Sequence, residues 1–402
     1  MSVNTELQSA GSDTGKMTKT ISYYAAFVAV GLFAASLGPT LPGLAENTHS
    51  MLSEISFLFT ARSFAYLIGS FLGGRLYDRV PGHIIMGSSL LLMVITMFLI
   101  PLTSLLWVLT MILLVLGIAE GSLDVGGNTL LVWIHGDKVG PYMNALHFFY
   151  GVGAFLSPII IAWAVLVSGG ITWAYWVLAL LVLPVAIWLF VLRSPPIRSH
   201  SKNNPDVVVN NLLVVLIAIF FFLYVGAEVS FGGWIFTYVV SLGLATETSA
   251  AILTSMFWGA FTIGRLVGIP IAVRFRFQNI LLADLMGCVC SLMIILIWSG
   301  SLLALFIGTF GIGFSMASIF PTTISLAERC MTITGKVIGW LLVGASAGGM
   351  TLPWLIGQVF ESIGPQMTMV VLLIDLLIAM GVYVILIRRS VKPPWQKSIS
   401  KS

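Results

Sequence analysis

The sequence predicts an all-α integral membrane protein of 12 transmembrane helices in two pseudo-symmetric six-helix bundles. Three observations predict it: near absence of charge, twelve long apolar runs, and a repeat of the first half in the second. Of 402 residues, 58% are hydrophobic and 8% charged, and the mean hydropathy is +1.04. A soluble domain carries about 25% charged residues, so most of this surface is expected to face lipid. The chain holds 40 Gly and 16 Pro, tolerated in membrane helices because neighbouring helices re-satisfy freed backbone groups. Cys288, Cys290 and Cys330 fall in or beside apolar segments. They predict neither a disulfide framework nor a thiolate metal site.

The apolar runs are 21–45, 51–74, 84–104, 106–132, 139–167, 171–192, 211–240, 249–272, 279–299, 301–326, 335–357 and 366–388. Each can cross a hydrocarbon core of about 30 Å at about 1.5 Å per residue. Residues 1–20 are polar and are expected to be a disordered cytoplasmic N-terminus, not a signal peptide. Residues 21–192 make the N-terminal bundle, 193–210 a polar cytoplasmic linker, 211–388 the C-terminal bundle and 389–402 a cytoplasmic tail.

Charge sets the expected orientation. Lys16, Lys19, Arg75, Arg79, Lys138, Arg193, Arg198, Lys202, Arg274, Arg276, Arg329, Lys336, Arg388, Arg389, Lys392, Lys397 and Lys401 all fall on one side of the spans. The opposite loops carry Glu46, Glu54, Glu247 and Glu361 and no Lys or Arg. The positive-inside rule makes both termini cytoplasmic, in a multi-pass protein of the plasma or inner membrane. The net charge of +4 therefore reports topology, and no nucleic-acid partner is expected.

The halves repeat at an offset of 195 residues: Gly31 maps to Gly226, Gly38 to Gly233, Gly69 to Gly264, Gly73 to Gly268, Gly140 to Gly335, Gly153 to Gly348 and Pro158 to Pro353. Six spans separate the copies, so the repeats have the same orientation, the arrangement of major facilitator transporters. A single such glycine is ordinarily close helix packing; the common register carries the argument. The loop Gly73-Gly74-Arg75-Leu76-Tyr77-Asp78-Arg79-Val80-Pro81-Gly82-His83 resembles the major facilitator signature G-x-L-x-D-R-x-G-R. Gly82 stands one place late and His83 replaces the usual basic residue. The resemblance implies a cytoplasmic gate at Gly74, Asp78 and Arg79, with Asp78 available to basic groups or a helix N-terminus. In the second half Val273 stands where the acid would be.

Polar groups inside spans must face protein or a water-filled cavity. Glu120, Asp124 and Asn128 are spaced by four and share one face of the fourth span; Asn144, His147 and Tyr150, spaced by three, share one face of the fifth. Glu228 lies within the seventh span. Arg62 with Glu120, and Arg265 with Asp284, are candidate ion pairs; the arginines facing a cavity is the alternative. Asp375 has no evident partner. Carboxylate, amide and nearby backbone carbonyls at Gly121, Gly126 and Gly127 would suit a coupling cation at Asp124, held with Glu120 and Asn128; a counter-ion to Arg62 is the other reading of that acid.

The segment Gly121-Ser122-Leu123-Asp124-Val125-Gly126-Gly127-Asn128 and the run Gly140-Pro141-Tyr142-Met143-Asn144-Ala145-Leu146-His147-Phe148 resemble the sodium-dependent glucose transporter branch of the major facilitator superfamily. More distantly they are similar to the fucose:proton symporter, with Asp124 matching its helix-4 acid, Asn128 and Asn144 its asparagines, and His147 its helix-5 Gln. That symporter has a second acid on helix 1, and Ser36-Leu37-Gly38-Pro39-Thr40 has none. The resemblance implies a secondary active transporter of a small hexose-like sugar, with Na+ or H+ as coupling ion and no other cofactor. The resemblance, with the missing helix-1 acid, weakly favours Na+ over H+ at Asp124 and leaves both open.

Amide, imidazole and aromatic groups suit a sugar. The expected lining of one central cavity is Asn128, Asn144, His147, Tyr150, Tyr224, Glu228 and Trp234. Arg62 and Arg265 keep open a major facilitator carrier for organic anions, by efflux or antiport, and a drug carrier belongs to the same alternative. A non-transporting receptor or scaffold is the third class. The chain has no P-loop, no metal-ligand cluster and no G-x-S-x-G elbow, so no enzyme is predicted. The expected partners are a small-molecule substrate and the lipid bilayer, with the chain acting as a monomer.

Overall fold

The computed structural model describes residues 2–197, 210–332 and 334–390. The helices, in chain order, are α1 (Ser2–Ala34), α2 (Leu37–Thr48), α3 (Leu52–Ile55), α4 (Phe57–Tyr77), α5 (Gly82–Leu99), α6 (Leu106–His135), α7 (Val139–Ser168), α8 (Ile171–Val191), α9 (Asn211–Ser241), α10 (Glu247–Arg274), α11 (Phe277–Ile297), α12 (Leu302–Met316), α13 (Ile319–Cys330), α14 (Gly335–Ser362) and α15 (Met367–Ser390). No strand occurs among the described residues. Eleven stretches are long and apolar enough to cross a membrane; one of them, Leu106–Ser168, is 63 residues long and holds both α6 and α7. Twelve spans result.

Three spans are broken among the described residues. The first bends at Ala35–Ser36, between α1 and α2, the second at Ser56, between α3 and α4, and the tenth at Ala317–Ser318, between α12 and α13. Each break removes helical donors from the carbonyls just before it. Elsewhere the ends follow local chemistry. Asn210 and Thr246 cap α9 and α10 through their side chains, which accept from Leu213 N–H at 3.2 Å and Ser249 N–H at 3.3 Å. Gly169, at φ 78°, closes α7 in a left-handed conformation that a Cβ would strain.

The leader departs from expectation. Residues 2–20 are helical and continuous with the first span. No proline precedes Pro39, so nothing blocks a helix anchored by its apolar part from extending backward. The linker positions 198–209 and the tail positions 391–402 lie outside the described residues.

The chain divides into two compact units, Met1–Ser50 with Phe64–Ser201, and Met51–Ser63 with Lys202–Ser402. Residues 51–63, which the sequence assigns to the first bundle, thus pack within the second unit. Hydroxyls of Ser56, Thr60 and Ser63 donate to the α14 carbonyls of Trp354, Met350 and Gly349 at 3.4, 2.7 and 3.3 Å.

Within each unit the same packing recurs. In the first, α1 packs on α7, α5 on α6 and α8, and α8 on α1. In the second, α9 packs on α14, α11 on α12 and α15, and α15 on α9. Two of the repeated glycine pairs mark close crossings. A Cβ at Gly153 would meet the Val28 carbonyl, and one at Gly348 the Phe222 carbonyl; one at Gly69 would meet the Ile118 carbonyl, and one at Gly264 the Phe314 carbonyl. At these pairs the 195-residue register is a register of backbone contacts.

Candidate functional site

In the first unit, α6 supplies Glu120, Asp124 and Asn128 from one face. Its approach to α4 is set by small residues: a Cβ at Gly121 would collide with the Tyr66 carbonyl, and one at Gly69 with that of Ile118. That closeness brings the Tyr66 side chain onto α6. Its hydroxyl donates to Asp124 Oδ2 at 2.8 Å. Asn128 Nδ2 donates to the Asp124 main-chain oxygen at 2.8 Å and to its Oδ1 at 3.4 Å. Glu120 and Tyr150 also act electrostatically on Tyr66. Four of the expected residues thus gather around a fifth, Tyr66, that sequence reasoning missed. Its signal was weak: a tyrosine in an apolar helix is ordinarily packing, and only its place one turn after Arg62 hinted otherwise.

Exposure differs across this group. Glu120 is 3% exposed, Asp124, Asn128, His147 and Tyr150 are half-buried, and Asn144 is exposed. His147 meets the edge of Phe27, ring centroids 5.8 Å apart. The backbone near Gly126 and Gly127 is not open as expected. The Tyr77 ring fills the place of a Gly126 side chain and the Phe27 ring that of Gly127. Glycine here admits the two aromatic rings against α6.

Asp78 and Arg79 are exposed in the turn after α4, where Arg79 N–H bonds the Leu76 carbonyl at 3.0 Å. Gly74 is half-buried. His83 does not act as a surface cation. It is 2% exposed and lies 2.9 Å from the Leu192 carbonyl through Nδ1 and 2.8 Å from the Tyr23 hydroxyl through Nε2. The carbonyl can only accept, so Nδ1 carries the proton and, in neutral His83, Tyr23 donates to Nε2.

The second unit holds Tyr224, Glu228, Trp234, Arg62, Arg265 and Asp284. Tyr224, 1% exposed, donates to the Met316 carbonyl at 3.1 Å. Trp234, 0% exposed, gives its indole N–H to the Pro353 carbonyl at 3.0 Å and packs between Phe59 and Phe360. Neither offers a free ring face, which corrects the expected aromatic lining at these two positions. Packing took both because each ring fills a helix crossing while its polar tip satisfies a backbone carbonyl. Glu228 is half-buried and stands one turn after Tyr224 on α9. The Arg265 guanidinium lies 4.4 Å from the Phe261 ring centroid. The expected pairing of Arg265 with Asp284 is therefore replaced: Asp284 accepts from Ser318. Arg62 is half-buried on the part of α4 that belongs to this unit. No cluster of three or more metal-ligating His, Cys, Asp or Glu side chains occurs among the described residues.

Twelve long apolar spans, with the Tyr66–Asp124–Asn128 cluster inside them, make a multi-pass membrane protein. Residues 23–332 match the model of the Major Facilitator Superfamily, and the chain belongs to that family. The sodium-dependent glucose transporter 1 of Xenopus laevis is 35% identical over 353 residues, covering 80% of this chain and 72% of that protein. The sodium-dependent glucose transporter 1A of Mus musculus is 32% identical over 374 residues, covering 83% and 88%. Major facilitator superfamily domain-containing protein 4A of Danio rerio is 28% identical over 436 residues, covering 86% and 83%. Among solved structures, a point mutant of the nucleoside transporter NupG superposes with TM-score 0.73 at 15% identity, over 94% of this chain and 100% of that one. At that identity the likeness shows the fold. The chain is a transporter, embedded in the bilayer and acting on a small molecule.

Proposed function

We propose that the protein is a cation-coupled symporter of a small hexose-like sugar, working by alternating access in the plasma or inner membrane with both termini cytoplasmic. The observation that carries this reading is the Tyr66–Asp124–Asn128 cluster. An acid inside a span is costly unless it serves an ion or is paired. Here Tyr66 and Asn128 hold the carboxyl in place from two directions. With the Asn128 nitrogen committed to Asp124, its amide oxygen remains to accept from a sugar hydroxyl or to ligate a cation. Asn144, His147 and Tyr150 follow along α7 as the hydrogen-bonding surface for the sugar. Gly74, Asp78 and Arg79 form the gate turn. Two relatives named as sodium-dependent glucose transporters support Na+ over H+ at Asp124 and a sugar as cargo.

The second reading is a major facilitator carrier for drugs or organic anions. Arg265, with its Nε buried and without a hydrogen-bond partner, favours an anion. Counterflow in proteoliposomes separates the two. A labelled hexose, chased by a small sugar panel with and without sodium and a pH gradient, should be taken up and driven by one cation. Uptake of organic anions but of no sugar would overturn the first reading.

A further inference from the structure

Pro353 lies inside α14. Proline has no N–H, so the carbonyl four residues back, that of Gly349, loses its helical donor. The Ser63 hydroxyl takes that place at 3.3 Å, and Thr60 donates to the next carbonyl, Met350, at 2.7 Å. At the far end of the same segment, Leu52 N–H donates to Glu361 at 3.0 Å and Gln358 Nε2 donates to the Ser53 carbonyl at 2.8 Å. Residues 51–63 are thus strapped along α14 from end to end. The α14 surface beneath them is smooth: Gly349 faces Ser63 and Gly357 faces Ser56, so no side chain at these two positions interlocks with the strap. What holds it is mostly hydrogen bonds.

Those bonds are of an exchangeable kind. A hydroxyl on a helix has a second acceptor within reach, a carbonyl one turn back in its own chain. In α10, the repeat partner of α4, Thr254 and Thr262 use it, donating to Ala250 and Trp258 at 3.0 and 2.8 Å. Ser56 shows both choices at once, 2.7 Å from its own Ser53 carbonyl and 3.4 Å from the Trp354 carbonyl of α14. Thr60 and Ser63 donate across to α14, with the Ser56 and Phe59 carbonyls one turn behind them. Either hydroxyl can leave α14 without being stranded, and the Gly349 carbonyl can take water instead. The strap ends where the unit changes, at Ser63 within the continuous helix α4. Three residues further, the same helix presents Tyr66 to Asp124.

We propose that Thr60 and Ser63 are positioning residues of the transport cycle. Docked on the carbonyls beside Pro353, they hold residues 51–63 shut. On release, their hydroxyls turn to the carbonyls of their own helix and the strap parts from α14, opening the face that carries Glu54 and Glu361. The exchange of acceptors keeps the cost of opening low, and the donorless Gly349 carbonyl draws Ser63 back on closing. The inference rests on the chain being a transporter, and on neither its cargo nor its coupling ion.

A cross-link tests it. A Cβ at Gly349 would stand 3.9 Å from that of Ser63, within the separation of about 3.5–4.5 Å that a disulfide spans. The full chain carrying Ser63→Cys and Gly349→Cys should cross-link on mild oxidation, lose hexose counterflow in proteoliposomes, and regain it with reductant. Each single variant should be indifferent to the oxidant. Counterflow that continues at full rate in the cross-linked protein would make the contact static packing and overturn the proposal, as would a pair that does not cross-link. A second measurement needs no substrate. Labelling of Ser63→Cys by a membrane-impermeant maleimide, read against the protein with Ser63 intact, should be about fivefold faster with Thr60→Val, which drops one hydrogen bond. Thr60→Ser, which keeps the hydroxyl, should leave the rate unchanged. Equal rates in all three would overturn the proposal, and this order still decides should the double-cysteine variant not fold. Failure of the sugar reading shows elsewhere, as wild type without sugar counterflow, and leaves the labelling order standing.

Discussion

The hydroxyl of Tyr66 on α4 donates to Oδ2 of Asp124 on α6 at 2.8 Å. This bond fixes one oxygen of the carboxyl proposed to hold the coupling cation. A hydrogen bond to a charged group contributes about 1.5–3 kcal/mol. Tyr66→Phe should therefore loosen the carboxyl and lower cation-driven uptake by about tenfold or more. Initial rates at fixed pH across a sodium series read it. Unchanged rates would detach Tyr66 from coupling.

Asp124→Asn should abolish uphill accumulation and leave substrate exchange across the membrane measurable. Asparagine keeps the shape and can still accept from Tyr66, but it carries no negative charge to balance a bound cation and releases no proton. Proteoliposomes with and without an imposed ion gradient read both quantities in one preparation. A mutant that still concentrates substrate, or one that recovers fully only when Arg62 is also neutralised, would make Asp124 a structural counter-ion.

Asn144→Ala and Trp234→Phe should separate binding from packing. Asn144 is exposed on the face shared with His147 and Tyr150. Its loss should weaken sugar competition in counterflow by about 1–3 kcal/mol. Trp234 is fully buried and bonded to the Pro353 carbonyl. Its replacement should lower the melting temperature in detergent while the half-inhibiting sugar concentration stays unchanged.

Gly348→Val should destabilise the second unit by about 1–3 kcal/mol or more, since a Cβ there would collide with the Phe222 carbonyl and backbone must move. Gly381→Ala meets nothing within 4 Å and should be neutral or stabilise by about 0.5–1 kcal/mol, through the lower helix entropy of alanine. Thermal unfolding of the two variants side by side checks the contrast.

The sequence by itself determined the number of spans, the offset of the repeat and the face each polar residue occupies. Those follow from hydrophobic length and from the helical period, which are local quantities. It put Asp124 and Asn128 on one face of the fourth span, and the structure joins them by a hydrogen bond. Only the tertiary structure decided what stands opposite each face. Tyr66 reaches Asp124 because Gly69 and Gly121 let α4 and α6 touch. Trp234 is consumed by packing because the 51–63 segment, with Phe59, folds onto the second unit. Arg265 lies over the Phe261 ring, and Asp284 takes Ser318 at the break of the tenth span. A helical period fixes direction and depth along one helix. Which neighbour fills that direction depends on how distant helices cross, and crossing is set by side-chain volumes summed over contacts that lie far apart in the chain.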